Sequence, residues 1–137
     1  MPIEARSTCP ISTALELIGD RWTLLVVRDL MFAGKRRFRE FLQSEEGISN
    51  SVLANRLNGL MERGLVTRSG DPTHAQKAIY RLTDKGVDLL PVLVAMSEWT
   101  QKYHSRTRRP EAAALVGRTP KEIRQLTMRM RREHVVV

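Results

Sequence analysis

One cysteine in 137 residues leaves nothing for an intrachain disulfide or a cysteine-based metal cluster. Cys9 can form a disulfide only with a second chain. Long apolar runs are missing as well. No window approaches the ~20 apolar residues that span a bilayer, and the opening MPIEARSTCPIS has no apolar stretch of signal-peptide length. A cytoplasmic location is expected. His74, His104 and His134 are widely separated, and none has the i, i+4 partner of a helical metal site. There is no glycine-rich phosphate loop, no nucleophile elbow and no pair of carboxylates in an apolar context. The expectation is a protein that is not an enzyme and needs no cofactor.

Acidic residues are in the minority. Fifteen Asp and Glu stand against twenty-three Lys and Arg, a formal net charge of +8. Such an excess favours a polyanionic partner, either nucleic acid or an anionic membrane surface. With 42% hydrophobic residues the chain can fill one core, and two independent domains would be hard to fit.

Helical spacing of apolar residues runs from Ser12 to Ala33, interrupted at Gly19-Asp20, which read as the end of one helix and the cap of the next. The second helix carries Trp22, Leu25, Val26, Leu30 and Ala33 on one stripe, with Leu24, Val27 and Met31 beside it. It is predicted to be central to the core. Gly34 closes it, and Lys35-Arg36-Arg37 leads into a short helix at Phe38 to Leu42. After a turn at Gly47-Ile48, Ser49 is predicted to cap a helix ending at Gly64, with Leu53, Leu57, Leu60 and Met61 on one face. Leu65 to Arg68 and Ala78 to Leu82 read as a hairpin with a polar tip. A further helix is expected from Thr83 to Tyr103, bent at Pro91 if it continues upstream, with a wide apolar stripe that includes Met96 and Trp99. Such a stripe commonly finds a partner subunit. Thr119-Pro120-Lys121-Glu122 fits a capping box that opens a last helix.

The expected fold is mainly α with a small β-hairpin, a winged helix-turn-helix. Residues 1–105 are read as a DNA-binding and dimerisation domain, and residues 106–137 as a basic extension with a helix from about 120 to 133. Three roles stand open for that helix: a clamp on nucleic acid or another anion, a dimer brace, or a solvated amphipathic helix.

A major groove about 12 Å wide admits one α-helix that is packed on one face and polar on the other. The helix from Ser49 meets that requirement. With its leucines inward, Ser51, Asn55, Asn58 and Glu62 point outward, with Asn50, Arg56 and Gly59 on the flanks. Asn is a poor helix former, so three in nine positions point to a use beyond stability. Ser49, Asn50, Ser51, Asn55 and Arg56 are the candidate DNA-contacting residues, because the N-terminal half of a recognition helix usually makes the base contacts. Arg36 and Arg37, before the supporting helix, and Arg68 and Lys77, flanking the wing tip, are candidates for phosphate or minor-groove contact. The rival reading is a winged helix used as a protein-interaction module, its basic surface incidental.

Many of these residues, taken in order, resemble the HxlR-type helix-turn-helix regulators, relatives of the MarR group. The resemblance is carried by Cys9-Pro10, Leu17 to Leu25 (LIGDRWTLL), Arg37-Phe38, Phe41, Gly47-Ile48-Ser49, Leu53, Arg56-Leu57, Leu60, Gly64-Leu65-Val66 and Tyr80 to Gly86 (YRLTDKG). It covers roughly Cys9 to Tyr103 and departs at the wing, where paired prolines are missing and Ile79 replaces an acidic residue. It implies double-stranded DNA as partner and a homodimer built through the terminal helices on a palindromic operator. It also places Cys9 where some members carry a cysteine that senses oxidants or electrophiles, so Cys9 is a candidate redox switch with an unidentified effector. The other reading of Cys9 is an inert packed thiol.

Overall fold

The computed structural model describes residues 6–70, 73–74, 77–104 and 115–135. Seven helices and one hairpin appear among them: α1 (Pro10–Ile18), α2 (Thr23–Phe32), α3 (Phe38–Phe41), α4 (Asn50–Glu62), β1 (Val66–Ser69), β2 (Ile79–Leu82), α5 (Asp84–Val87), α6 (Leu90–Tyr103) and α7 (Pro120–His134). This is the expected mainly α winged helix-turn-helix.

Local chemistry sets most of the boundaries. Asp20 Oδ1 accepts from the N–H groups of Trp22 and Thr23 at 2.8 and 3.0 Å, satisfying donors at the start of α2. Ser49 Oγ caps α4 by accepting from Val52 N. At its other end Leu65 N bonds Leu60 O and Gly64 N bonds Met61 O, while Gly64 sits at φ 72°. This pair of bonds is the Schellman closure, which needs the left-handed residue that glycine supplies. Beyond α4, β1 and β2 pair antiparallel with Val66 opposite Leu82 and Arg68 opposite Tyr80. Tyr80 N also bonds Arg36 O at 2.8 Å, so the segment before α3 leans on the far side of β2.

The core forms where the inner faces meet. Val26, Val27, Leu30 and Met31 of α2 pack with Phe41, with Leu53, Leu57 and Leu60 of α4, and with Tyr80 and Leu82 of β2. Phe41 meets Tyr80 edge-on, with ring centroids 6.3 Å apart. Ala33, expected on the core stripe of α2, is exposed at the helix end.

The single helix expected from Thr83 is two. Pro91 has no N–H to give the Val87 carbonyl, so the helical ladder stops after α5 and restarts at Leu90. Gly86 lies where a Cβ would come within 2.2 Å of Leu65 O, so the close approach of α5 to the chain leaving α4 depends on the missing side chain.

The extension carries α7, opened by the expected capping box: Thr119 Oγ1 accepts from Glu122 N, and Glu122 Oε1 from Thr119 N. It lies against α5, α6 and β2, burying Leu126, Met130 and His134. Arg131 joins it to Asp84 and Asp88 at 2.7 and 3.1 Å. His134, 1% exposed, accepts at Nδ1 from Leu82 N and faces Leu30 O with Nε2, both at 3.1 Å. That pattern requires the neutral tautomer with its proton on Nε2.

Burial pushes the His134 pKa down from 6.5 to about 4; the charges of Arg36 and Arg81 add to this, against the Leu30 bond that favours the cation. A proton on Nδ1 would also face the Leu82 N–H donor. The folded pKa is the lower one, so the contribution is complete above pH 6.5 and is lost as pH falls toward 4. Wild type should lose on the order of 3 kcal/mol across that window relative to His134→Gln, whose amide can make both bonds but does not titrate. Urea unfolding of both proteins at each end of the window measures the difference.

Candidate nucleic-acid interface

The interface starts from a buried carboxylate. Asp29 is 3% exposed near the end of α2, where an unpaired charge would be strongly destabilising. Lys35 Nζ reaches its Oδ2 at 3.2 Å, Arg28 its Oδ1 at 2.9 Å, and the Ser44 hydroxyl donates to Oδ2. Lys35 Nζ also bonds Ser44 Oγ at 3.0 Å, and Arg28 holds Glu46 through bonds of 2.7 and 2.9 Å. Gly47 N closes on Ser44 O and Ile48 is buried. The turn between α3 and α4 is thereby tied to α2, and this fixes the pose of α4.

On α4, Leu53, Leu57 and Leu60 are buried, while Asn50, Ser51, Asn55, Asn58 and Glu62 are exposed, as the period requires. Ser49 combines exposure with its capping bond, and its Oγ lies 3.5 Å from Ser51 Oγ. Arg56 is half-buried. Its Nε bonds Asp20 Oδ1 at 2.8 Å and its NH1 bonds Asn55 Oδ1 at 2.6 Å. Burial works against the charge on Asp20. The Thr23 hydroxyl, the Trp22 and Thr23 N–H groups and Arg56 outweigh it and hold the pKa at about 2. Between α1 and α4 lies an open polar groove of about 650 Å³ bordered by Arg6, Glu16, Asp20, Arg56 and Glu62.

The basic residues divide. Arg37 is exposed at the N-cap of α3, and Lys77 is exposed just before β2. Arg68 is half-buried on β1 opposite Tyr80. Arg36 does not present itself as a phosphate contact: its NH1 donates to the carbonyls of Leu30 and Lys35 at 2.8 and 2.9 Å. Burial, with the nearby Arg81 charge, lowers its pKa. Cys9 is exposed at the N-cap of α1, not packed into its own chain among the described residues.

Sequence reasoning takes Asp20 as a cap alone and misses its hold on Arg56, and it misses the Asp29 cluster. No local pattern announces either, because Arg56 stands 36 residues from Asp20, and Ser44 stands 15 residues from Asp29. Asp29→Asn, which leaves Lys35 and Arg28 facing a neutral amide, should cost about 3 kcal/mol of stability in urea unfolding.

The model of the HxlR-like helix-turn-helix family matches residues 17–108. The chain is 39% identical over 100 residues to the HTH-type transcriptional regulator MT3179 of Mycobacterium tuberculosis, covering 73% of this chain and 62% of the relative's length. Reduced YodB, a transcriptional regulator from Bacillus subtilis, superposes with a TM-score of 0.59 at 34% identity, over 74% of this chain and all of that one; YodB has also been solved with quinone bound. The redox regulator HypR in its oxidized form gives a TM-score of 0.60 at 31% identity, over 74% of this chain and 99% of that one. Arg109 and the residues after it, including α7, lie beyond the family match. The chain belongs to the HxlR-like helix-turn-helix family.

Proposed function

We propose that the protein is a homodimeric transcriptional regulator that binds a palindromic operator, inserting α4 of each subunit into a major groove. The observation that carries this reading is the two-faced α4: three buried leucines behind a face of exposed Asn and Ser, capped and closed at both ends. Arg37 and Lys77 supply phosphate contacts at the supporting helix and the wing, with Arg68 beside them. The net charge of +8 supports the same partner.

A second copy of the chain accounts for the apolar side chains left outside. Ile11 and Leu15 on α1 and Met96, Trp99 and Tyr103 on α6 are all at least half exposed. Pairing through these terminal helices would set two recognition helices one DNA turn, about 34 Å, apart. The basic extension serves as a brace on its own chain through α7.

Selection of duplexes from a random pool tests the whole reading: a palindrome is expected, and no duplex binding at low salt would leave a protein-interaction module instead. On the selected duplex, Asn55→Ala should cost roughly 1–3 kcal/mol and spare binding to random duplex. Lys77→Ala should weaken both alike and flatten the log–log salt slope by about 0.9, the increment for one phosphate that is no longer neutralised.

Cys9 is proposed as an oxidant- or electrophile-responsive residue, supported by its exposure and by the redox and quinone states in which HypR and YodB were solved. Diamide should change operator affinity in wild type and not in Cys9→Ser; an equal response in both would exclude Cys9.

A further inference from the structure

Asp20, Arg56 and Asn55 form one chain of charge-assisted bonds that runs from the start of α2 to the outer face of α4. Asp20 is the fixed end. Its Oδ1 accepts the N–H groups of Trp22 and Thr23, and its Oδ2 accepts the hydroxyl of Thr23, a residue with no exposed surface. Turning the carboxylate would break these bonds together. Arg56 is the link, since Nε meets Asp20 at 2.8 Å and NH1 of the same rigid plane meets Asn55 Oδ1 at 2.6 Å. The carboxylate charge is secure at any physiological pH, because the Asp20 pKa lies near 2.

An arginine held against a carboxylate contributes little net charge to a phosphate or a guanine. The asparagine gains what the arginine gives up: its carbonyl oxygen is taken by the guanidinium, which orients the amide plane and turns the NH2 away from Arg56 on the exposed side of α4. An asparagine free to rotate can pair both donor and acceptor with adenine, whereas one whose carbonyl is turned toward Arg56 presents its NH2 foremost and loses that two-bond geometry. Major-groove edges that accept are the O6 and N7 of guanine, the O4 of thymine and the N7 of adenine, while cytosine offers only a donor.

We propose that Asp20 is a positioning residue for base readout: acting through Arg56, it fixes Asn55 with its NH2 donor foremost, so that it selects an acceptor-bearing base, guanine, thymine or adenine, and rejects cytosine. The inference rests on the reading of α4 as the recognition helix.

Duplex selection from a random pool with the full chain tests it, using wild type, Asp20→Asn, Asn55→Ala and the double variant. Asn at position 20 can still cap α2, but it cannot hold Arg56 by charge. Wild type should favour an acceptor-bearing base over cytosine by roughly tenfold at one position in each half-site. Asp20→Asn should flatten that position to the level of Asn55→Ala, and the double variant should be no flatter than either. Binding to random duplex should tighten in Asp20→Asn as the Arg56 charge is released. Arg56→Lys leaves the α2 cap intact and should flatten the same position, which guards against misfolding of the Asp20 variant. Unchanged base preference in Asp20→Asn and Arg56→Lys would overturn the inference while leaving α4 as the reader. Independent, additive losses from Asp20→Asn and Asn55→Ala would also overturn it, because Asp20 would then act on the fold at large. A wild-type pool with no preferred base would overturn the proposed function as well.

Discussion

A buried carboxylate decides where the helix-turn-helix sits. Asp29 cannot remain charged inside the protein without donors, and those it finds lie on both sides of the corner: Arg28 beside it on α2, then Lys35 and Ser44 further along the chain. Meeting that requirement draws the turn after α3 against α2. Glu46 then completes the clasp on Arg28, next to the Gly47 turn and buried Ile48 that lead into Ser49. Apolar packing alone would be non-directional and would tolerate a slide of α4 along its leucine face. The ionic corner adds the direction that packing lacks.

Separate supports explain how α4 sustains so polar a face. Three asparagines and a mid-helix glycine are unfavourable for an isolated helix. Stability comes instead from the two ends and the rear: the Ser49 cap, the Schellman closure at Gly64 and the three buried leucines. Lys85 Nζ reaches Arg63 O at 2.9 Å, placing a cation at the negative end of the helix dipole. The outward side chains are thereby released from stabilising the helix, as a reading surface requires.

Features encoded over short stretches are legible in the sequence. The Ser49 cap, the Gly64 stop, the Thr119 capping box, the hairpin and the leucine face of α4 each follow from residues within about one to four turns of helix. What escapes is polar and distant. Nothing near Asp20 signals that it will meet Arg56, and nothing in the last turn of α7 signals that His134 will join Leu82 to Leu30, 52 and 104 residues away. Arg36 misleads for a related reason: a basic run looks uniformly exposed, yet its second member turns inward and shares the Leu30 carbonyl of α2 with His134. The break between α5 and α6 is half legible, since Pro91 is visible as an obstacle but not as a stop.

The two terminal regions treat their apolar surface in opposite ways. In α7 the apolar stripe is closed inside the chain, with Leu126, Met130 and His134 buried and Arg124, Arg129 and Arg132 outward. In α6 the stripe changes owner along its length: Leu90, Leu93 and Val94 are buried in the core, whereas Met96, Trp99 and Tyr103 emerge at its far end with Trp99 and Tyr103 in ring contact at 5.8 Å. One helix is thus anchored by its first half and presents its second. The anchored half runs back through Leu90 to α5, whose Gly86 packs against the chain leaving α4 at Leu65. The extension adds a second fastening at the same place, because Arg131 clasps Asp84 and Asp88 beside the junction of α5 and α6.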